Sequence, residues 1–315
     1  MMQLMFVGVT HRAVDLLRRL SLHRDKSPAL TWEIETQLAD AQAEVDAGVD
    51  NPIGDDLLRL IFTACHPVLS IEARLALTLR LLGGLSTDEI ARAFLVGEAT
   101  MAQRIVRAKR TLSEARVPFE LPDAAERHVR LDSVLEVIYL IFNEGYAATA
   151  GDDWLRPALC EEAMRLGRVL AELIPGESEI HGLVALMELQ ASRNRARVDA
   201  QGEPVLLLEQ NRAHWDRLLI QRGLGALQRA ERLGGALGPY ALQAAIAACH
   251  ARTAIASETP WKRITALYDA LAQVSPSPVV ELNGAVAVGM AYGPAAGLER
   301  LDAIGNDPRL RHYHL

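Results

Sequence analysis

Leu85-Ser86-Thr87-Asp88-Glu89-Ile90-Ala91 and, after a short turn, Ala99-Thr100-Met101-Ala102-Gln103-Arg104-Ile105-Val106-Arg107-Ala108-Lys109-Arg110-Thr111-Leu112 decide how this chain is read. Ser86 and Glu89 have the spacing of a capping box. In that motif each side chain satisfies a backbone N–H that the start of a helix leaves open. The pattern predicts a short helix over Thr87–Phe94, with Ile90, Ala91 and Phe94 turned inward. Leu95-Val96-Gly97-Glu98 reads as a tight turn. A longer helix is expected over about Ala99–Ala115, with Met101, Ile105, Ala108 and Leu112 as its apolar stripe. Thr100, Gln103, Arg104, Arg107, Lys109 and Arg110 fill its other faces, and no acidic residue interrupts Thr100 to Leu112. Two helices joined by a short glycine-containing turn, the second polar and basic, form the geometry that lays a recognition helix in a major groove. On pattern alone, an ordinary helical hairpin with a solvated basic face stays open as the alternative.

Upstream, Leu75, Ala76, Leu79 and Leu82 share one face of a helix over Ile71 to Leu82. Gly83-Gly84 ends it, because glycine tolerates the left-handed conformation of a C-cap. Downstream, Pro118 and Pro122 mark an exit. Residues 55–117 thus form one helical module and 118–126 a linker. From 127 to 315 the pattern is helix after helix. The breaks fall at Pro175-Gly176, Gly202-Glu203-Pro204, Gly234-Gly235 with Gly238-Pro239, Pro276 with Pro278, and Gly293-Pro294. They recur at roughly 25–40 residues, the spacing of helical-hairpin repeats. Residues 27–54 read as a mostly acidic linker (Glu33, Glu35, Asp40, Glu44, Asp46). Residues 1–26 hold one amphipathic helix in which Ala13, Val14, Leu16, Leu17 and Leu20 alternate with Arg12, Arg18, Arg19 and Arg24.

Composition fits an all-α chain. Half of the 315 residues are hydrophobic but only 5% are aromatic, and long alternating Val/Ile/Thr runs are missing. Ala, Leu, Arg and Glu lose little rotamer freedom in a helix. The net charge of −7 is not the profile of a non-specific nucleic-acid binder, so any DNA contact must come from a local basic patch. Cys65, Cys160 and Cys249 are too widely spaced for a disulfide framework or a zinc pattern, and read as buried thiols in a reducing compartment. The apolar start, Met1 to Val9, is short and has no basic flank. It reads as neither a signal peptide nor a membrane span, and points to a cytoplasmic protein.

The two segments quoted first resemble the promoter −35 reading domain of the extracytoplasmic function (ECF) sigma factors, with their LSxxEIA helix and R-x-x-R-A-R/K recognition helix. Asp55 to Pro67, Ala91 to Val96 and Ala102 to Lys109 resemble one ECF subgroup, which carries a long C-terminal extension of tetratricopeptide-like repeats. Tyr139 to Tyr146, Leu183 to Met187, Gly238 to Ala248 and Pro276 to Asn283 are similar to that extension. Thr10 to Arg19 resembles the end of the family's −10-binding domain, most of which would lie before Met1. Similar chains also continue past Leu315, so both ends read as shortened.

The resemblance implies promoter DNA and core RNA polymerase as partners, no cofactor, and no enzymatic activity. Thr100, Gln103 and Arg104 would meet bases or their near surroundings. Arg107, Lys109 and Arg110 would hold phosphates, and His11, Arg12, Arg18 and Arg19 would belong to the remnant of the other DNA-binding domain. The C-terminal repeat would contact the DNA-binding module within the chain and modulate it. A different class stays open: a helical-repeat interaction protein with a vestigial DNA-binding domain.

Other features are weighed against plainer roles. Asn143, Glu144 and Tyr146, at an expected helix end capped by Gly145, form a candidate interaction site or else a helix–helix junction. Trp154, Trp215 and Trp261 read as core anchors. His66, His181, His214 and His250 share no metal-ligand spacing. Ser192 to Arg197 is a basic cluster, either a solvated helix end or a contact to DNA or polymerase.

Overall fold

The computed structural model describes residues 52–94, 96–146, 156–199, 201, 203–234 and 237–305. His11, Arg12, Arg18, Arg19 and Trp154 lie outside the described residues, as do both chain ends. Among the described residues there are twelve α-helices and no strand, so the all-α class holds. Val198 and Pro204 form an isolated antiparallel bridge. No helix among the described residues is long and apolar enough to cross a membrane.

The chain divides into two compact units, Met1–Val137 and Ile138–Leu315. The first contains α1 (Pro52–Ala64), α2 (Ile71–Leu81), α3 (Thr87–Ala93), α4 (Glu98–Glu114) and the leading part of α5 (Ala124–Tyr146). Its core is small and close-packed. Ile61 and Phe62 of α1, Leu77 and Leu79 of α2, Ile90 of α3 and Met101 of α4 are almost wholly shielded from solvent. At roughly 1.5–3 kcal/mol for each large apolar side chain buried, these contacts, not helix propensity, hold such short helices.

The division at Val137 lies later in the chain than the domain start at 127 expected from sequence. Pro118 and Pro122 do mark a loop, but the helix after it returns onto α1 and α2. The Ser133 hydroxyl donates to the Cys65 carbonyl at 2.6 Å. Arg74 of α2 donates to Ser133 and forms an ion pair with Glu136 at 3.1 Å. The Arg130 guanidinium sits 6.0 Å from the centre of the Phe62 ring. A proline pair in sequence signals where a helix stops; it carries no information on where the next one packs.

The second unit contains the rest of α5, α6 (Pro157–Leu173), α7 (Ser178–Ala191), α8 (Arg217–Arg232), α9 (Pro239–Ala251), α10 (Trp261–Val274), α11 (Pro278–Tyr292) and α12 (Pro294–Ile304). Helix α7 is its centre, with eleven buried residues and contacts to α6, α8 and α9. A helix apolar on all sides must be surrounded. Glu179 on α7 caps α9, its carboxylate accepting from the Tyr240 and Ala241 amides at 2.8 and 3.1 Å. Trp215 is buried in the cluster around α7, and Trp261 packs beside His250, with ring centres 5.3 Å apart. Of the expected breaks, Pro175 lies between α6 and α7, while Pro239, Pro278 and Pro294 are the first residues of α9, α11 and α12. The regular helix-after-helix pattern fails between α7 and α8. There the described residues form 3-10 turns at Asn194–Ala196 and Arg212–His214 and the isolated Val198–Pro204 bridge. The Asp199 carboxylate accepts from the amides of Gln201 and Glu203, building a turn at the expected Gly202-Glu203-Pro204 break.

Candidate nucleic-acid interface

The module that displays α4 is assembled from local rules. Ser70 starts α2, its hydroxyl accepting from the Ala73 amide at 3.4 Å. After α2, Gly84 takes φ +67°, a left-handed conformation that costs a residue with a Cβ roughly 1–2 kcal/mol. Arg80 then donates to the Leu85 carbonyl at 2.9 Å and holds the link to α3. The expected capping box is present. Ser86 accepts from the Glu89 amide at 3.1 Å, and the Glu89 carboxylate accepts from the Ser86 amide at 2.6 Å. Those bonds hold the Glu89 carboxyl below the usual carboxylate range. The turn through Val96 and Gly97 leads directly into α4. Gly97 supplies no side-chain cap, so the leading amides of α4 remain donors without a side-chain acceptor.

Helix α4 presents two different sides. Met101, Ile105 and Ala108 are buried against the module. At about 100° per residue, the opposite side carries Gln103, Val106, Arg107 and Arg110, all exposed. Thr100, exposed, and Arg104, half-buried, flank this side on one edge. Lys109 lies along the other edge, half-buried, and its ammonium pKa is lowered first by desolvation and then by the nearby Arg80. Arg110 is engaged by Glu114 at 2.6 Å. Arg107 has no side-chain partner among the described residues. The six expected contact residues therefore occupy different positions. Gln103, Arg107 and Arg110 share the outward face, Thr100 and Arg104 one edge, and Lys109 the other.

Two neighbours were missed by sequence reasoning. Arg80 lies close enough to lower the Lys109 pKa. Arg92 is 70% exposed and pairs with Asp88 at 2.9 Å, one helical turn earlier. The i, i+4 spacing of Asp88 and Arg92 could have signalled the pair. Nothing in the sequence connects Arg80 with Lys109, because their proximity arises from how α2 and α4 pack.

In the second unit, Gly145 is not a C-cap. Helix α5 runs through it to Tyr146, and its φ is not positive. Gly145 instead permits close approach: a Cβ there would lie 2.7 Å from the Cys160 amide nitrogen at the start of α6. Glu144 forms an ion pair with Arg156. The Tyr146 hydroxyl donates to Gln190 at 3.1 Å and accepts from Arg193 at 2.6 Å, while Arg197 lies 3.7 Å from the centre of its ring. Asn143, beside them, is half-buried. Around Tyr146 the arrangement is a junction of helix ends.

Comparison with known proteins matches residues 59–112 to the sigma-70 region 4 family and residues 130–231 to a family of unknown function (DUF6596). Sigma-70 region 4 is a helix-turn-helix domain involved in promoter −35 recognition and RNA polymerase binding. An uncharacterized protein of Rhizobium meliloti (strain 1021) is 46% identical over 311 residues, covering 98% of this chain and 72% of the relative. No solved structure matches.

Proposed function

The chain belongs to one family with this rhizobial relative and carries a sigma-70 region 4 domain, and from that premise we propose that it acts as an RNA polymerase sigma factor of the ECF type. The observation that carries the reading is the outward face of α4. A buried stripe fixes the helix on its module, while an amide side chain and two guanidinium groups point away from it. In the proposed complex this face lies in the major groove at the −35 element. Gln103, with Thr100 and Arg104 beside it, meets base edges; amides and guanidinium groups of this kind match the acceptor and donor patterns of purines. Arg107 and Arg110 hold phosphates, with Lys109 a weaker contributor from its half-buried edge. The open amides at the start of α4 are additional donors suited to a phosphate.

The second unit is the regulatory part in this reading, a tetratricopeptide-like helical array that modulates promoter use in the cytoplasm. Two measurements test the proposal. Binding to duplex DNA at low salt should fall by about tenfold or more in the charge-reversed Arg107→Glu/Arg110→Glu variant. The tagged chain should also retain purified core polymerase on a resin. Undiminished DNA binding by the double variant refutes the α4 assignment, and failure to retain polymerase refutes the sigma-factor role.

A further inference from the structure

From the end of α7 into the first turns of α8, the sequence from Ser192 to Arg222 contains six arginines against four carboxylates, in a chain whose net charge is −7. The carboxylates Asp199 and Asp216 are already used on the backbone. Asp199 holds its turn, and Asp216 caps α8 by accepting from the Leu218 and Leu219 amides at 2.9 and 3.1 Å. None of the six arginines forms an ion pair among the described residues. Arg212 is the clearest case. It is only 6% exposed, yet its guanidinium meets the His250 and Thr253 carbonyls at 2.9 Å and the Thr259 hydroxyl at 3.2 Å, all uncharged acceptors. A buried cation without a counter-charge creates a positive field that an anion can offset.

Beside Trp215 the surface forms a shallow, open cleft of about 580 Å³, lined by Arg195, His214, Trp215, Asp216, Arg217 and Leu218. The Arg195 and Arg217 side chains are exposed and have no partner among the described residues. Trp215 is 4% exposed, and its indole N–H is buried with no acceptor among those residues. Arg212 and Arg193 stand 5.1 and 5.9 Å from the centre of its ring. The cleft is held in place by the Asp216 amide, which donates to the Ser192 carbonyl at the end of α7 at 2.8 Å. Leu218, 55% exposed, adds an apolar wall.

We infer that this cleft is a docking site for an acidic peptide segment of a partner protein. One peptide carboxylate is received between the Arg195 and Arg217 guanidinium groups, and an adjacent apolar side chain lies on Leu218. Charge complementarity selects the anion. The apolar wall at Leu218 selects a peptide over a nucleic-acid backbone, which calls for an extended basic stripe. The site lies in the second unit, whereas α4 belongs to the first.

The test uses the full chain and a short fluorescein-labelled peptide of alternating Glu and Leu, followed by fluorescence anisotropy. The expected result is saturable binding that weakens by about tenfold or more in the Arg195→Glu/Arg217→Glu variant. Arg229→Glu/Arg232→Glu, at the far end of α8, should leave it unchanged. Peptide addition should also shift the indole N–H resonance of Trp215, identified by its loss in Trp215→Phe. Equal binding of a Gln-Leu counterpart, or no effect of reversal at Arg195 and Arg217, overturns the inference. So does a double variant that loses duplex DNA while holding the acidic peptide as before, because the cleft would then serve phosphates.

Discussion

Arg107→Ala should lower the salt dependence of DNA binding by about one phosphate contact. Arg107 sits on the outward side of α4, opposite Met101, Ile105 and Ala108, and no described side chain competes for its guanidinium. Each phosphate neutralised contributes a slope of about −0.9 in log affinity against log salt, through release of condensed counterions. Over a rise from about 50 to about 200 mM salt, one lost contact changes the salt-induced loss of affinity by about 3.5-fold. The assay is fluorescence anisotropy with a labelled duplex, titrated at several salt concentrations for the parent chain, Arg107→Ala and Lys109→Ala. Lys109 is half-buried with a lowered pKa, so its variant should change the slope less. Arg110 must leave Glu114 to reach a phosphate, so Glu114→Gln should tighten binding at low salt. An unchanged slope in Arg107→Ala, or a larger change in Lys109→Ala, would refute the orientation of α4.

Removing the capping hydroxyl in Ser86→Ala should destabilise the first unit by about 1 kcal/mol, read as a lower urea midpoint with an unchanged slope. Gly145→Ala places a Cβ 2.7 Å from the Cys160 amide nitrogen and should cost about 1–3 kcal/mol, measured by thermal unfolding. Burial pushes the His250 pKa down from 6.5 to about 4, with the Arg193 and Arg212 charges adding to the shift. The folded chain therefore keeps this imidazole neutral, while the unfolded chain takes up a proton first as pH falls. Stability should be lost progressively between about pH 6.5 and 4, by about 2 kcal/mol at pH 5. His250→Gln should flatten that loss; an equal acid dependence in the variant would count against the assignment.

The DNA-binding module was legible because its rules are local. Ser86 and Glu89 form the capping box their spacing announces, and Gly84 takes the left-handed cap. Met101, Ile105 and Ala108 turn inward as the period requires. What stayed hidden depends on tertiary packing. That Lys109 would be half-buried near Arg80 while Arg107 stands clear follows from how α4 crosses α2. Gly145 looked like a helix stop but is a point of close approach, since a glycine supports either role. The buried Arg212 draws on the His250 and Thr253 carbonyls, 38 and 41 residues further along the chain, a contact no local pattern announces.

Selection of binding sites from a pool of random-sequence duplexes tests the central claim most directly, because it asks whether α4 reads bases. The parent chain should enrich one short motif. Gln103→Ala should relax that motif at one or two adjacent positions, while Arg107→Ala keeps the motif and weakens binding to every sequence alike. A parent chain that enriches no motif, or a motif indifferent to Gln103, would contradict the account.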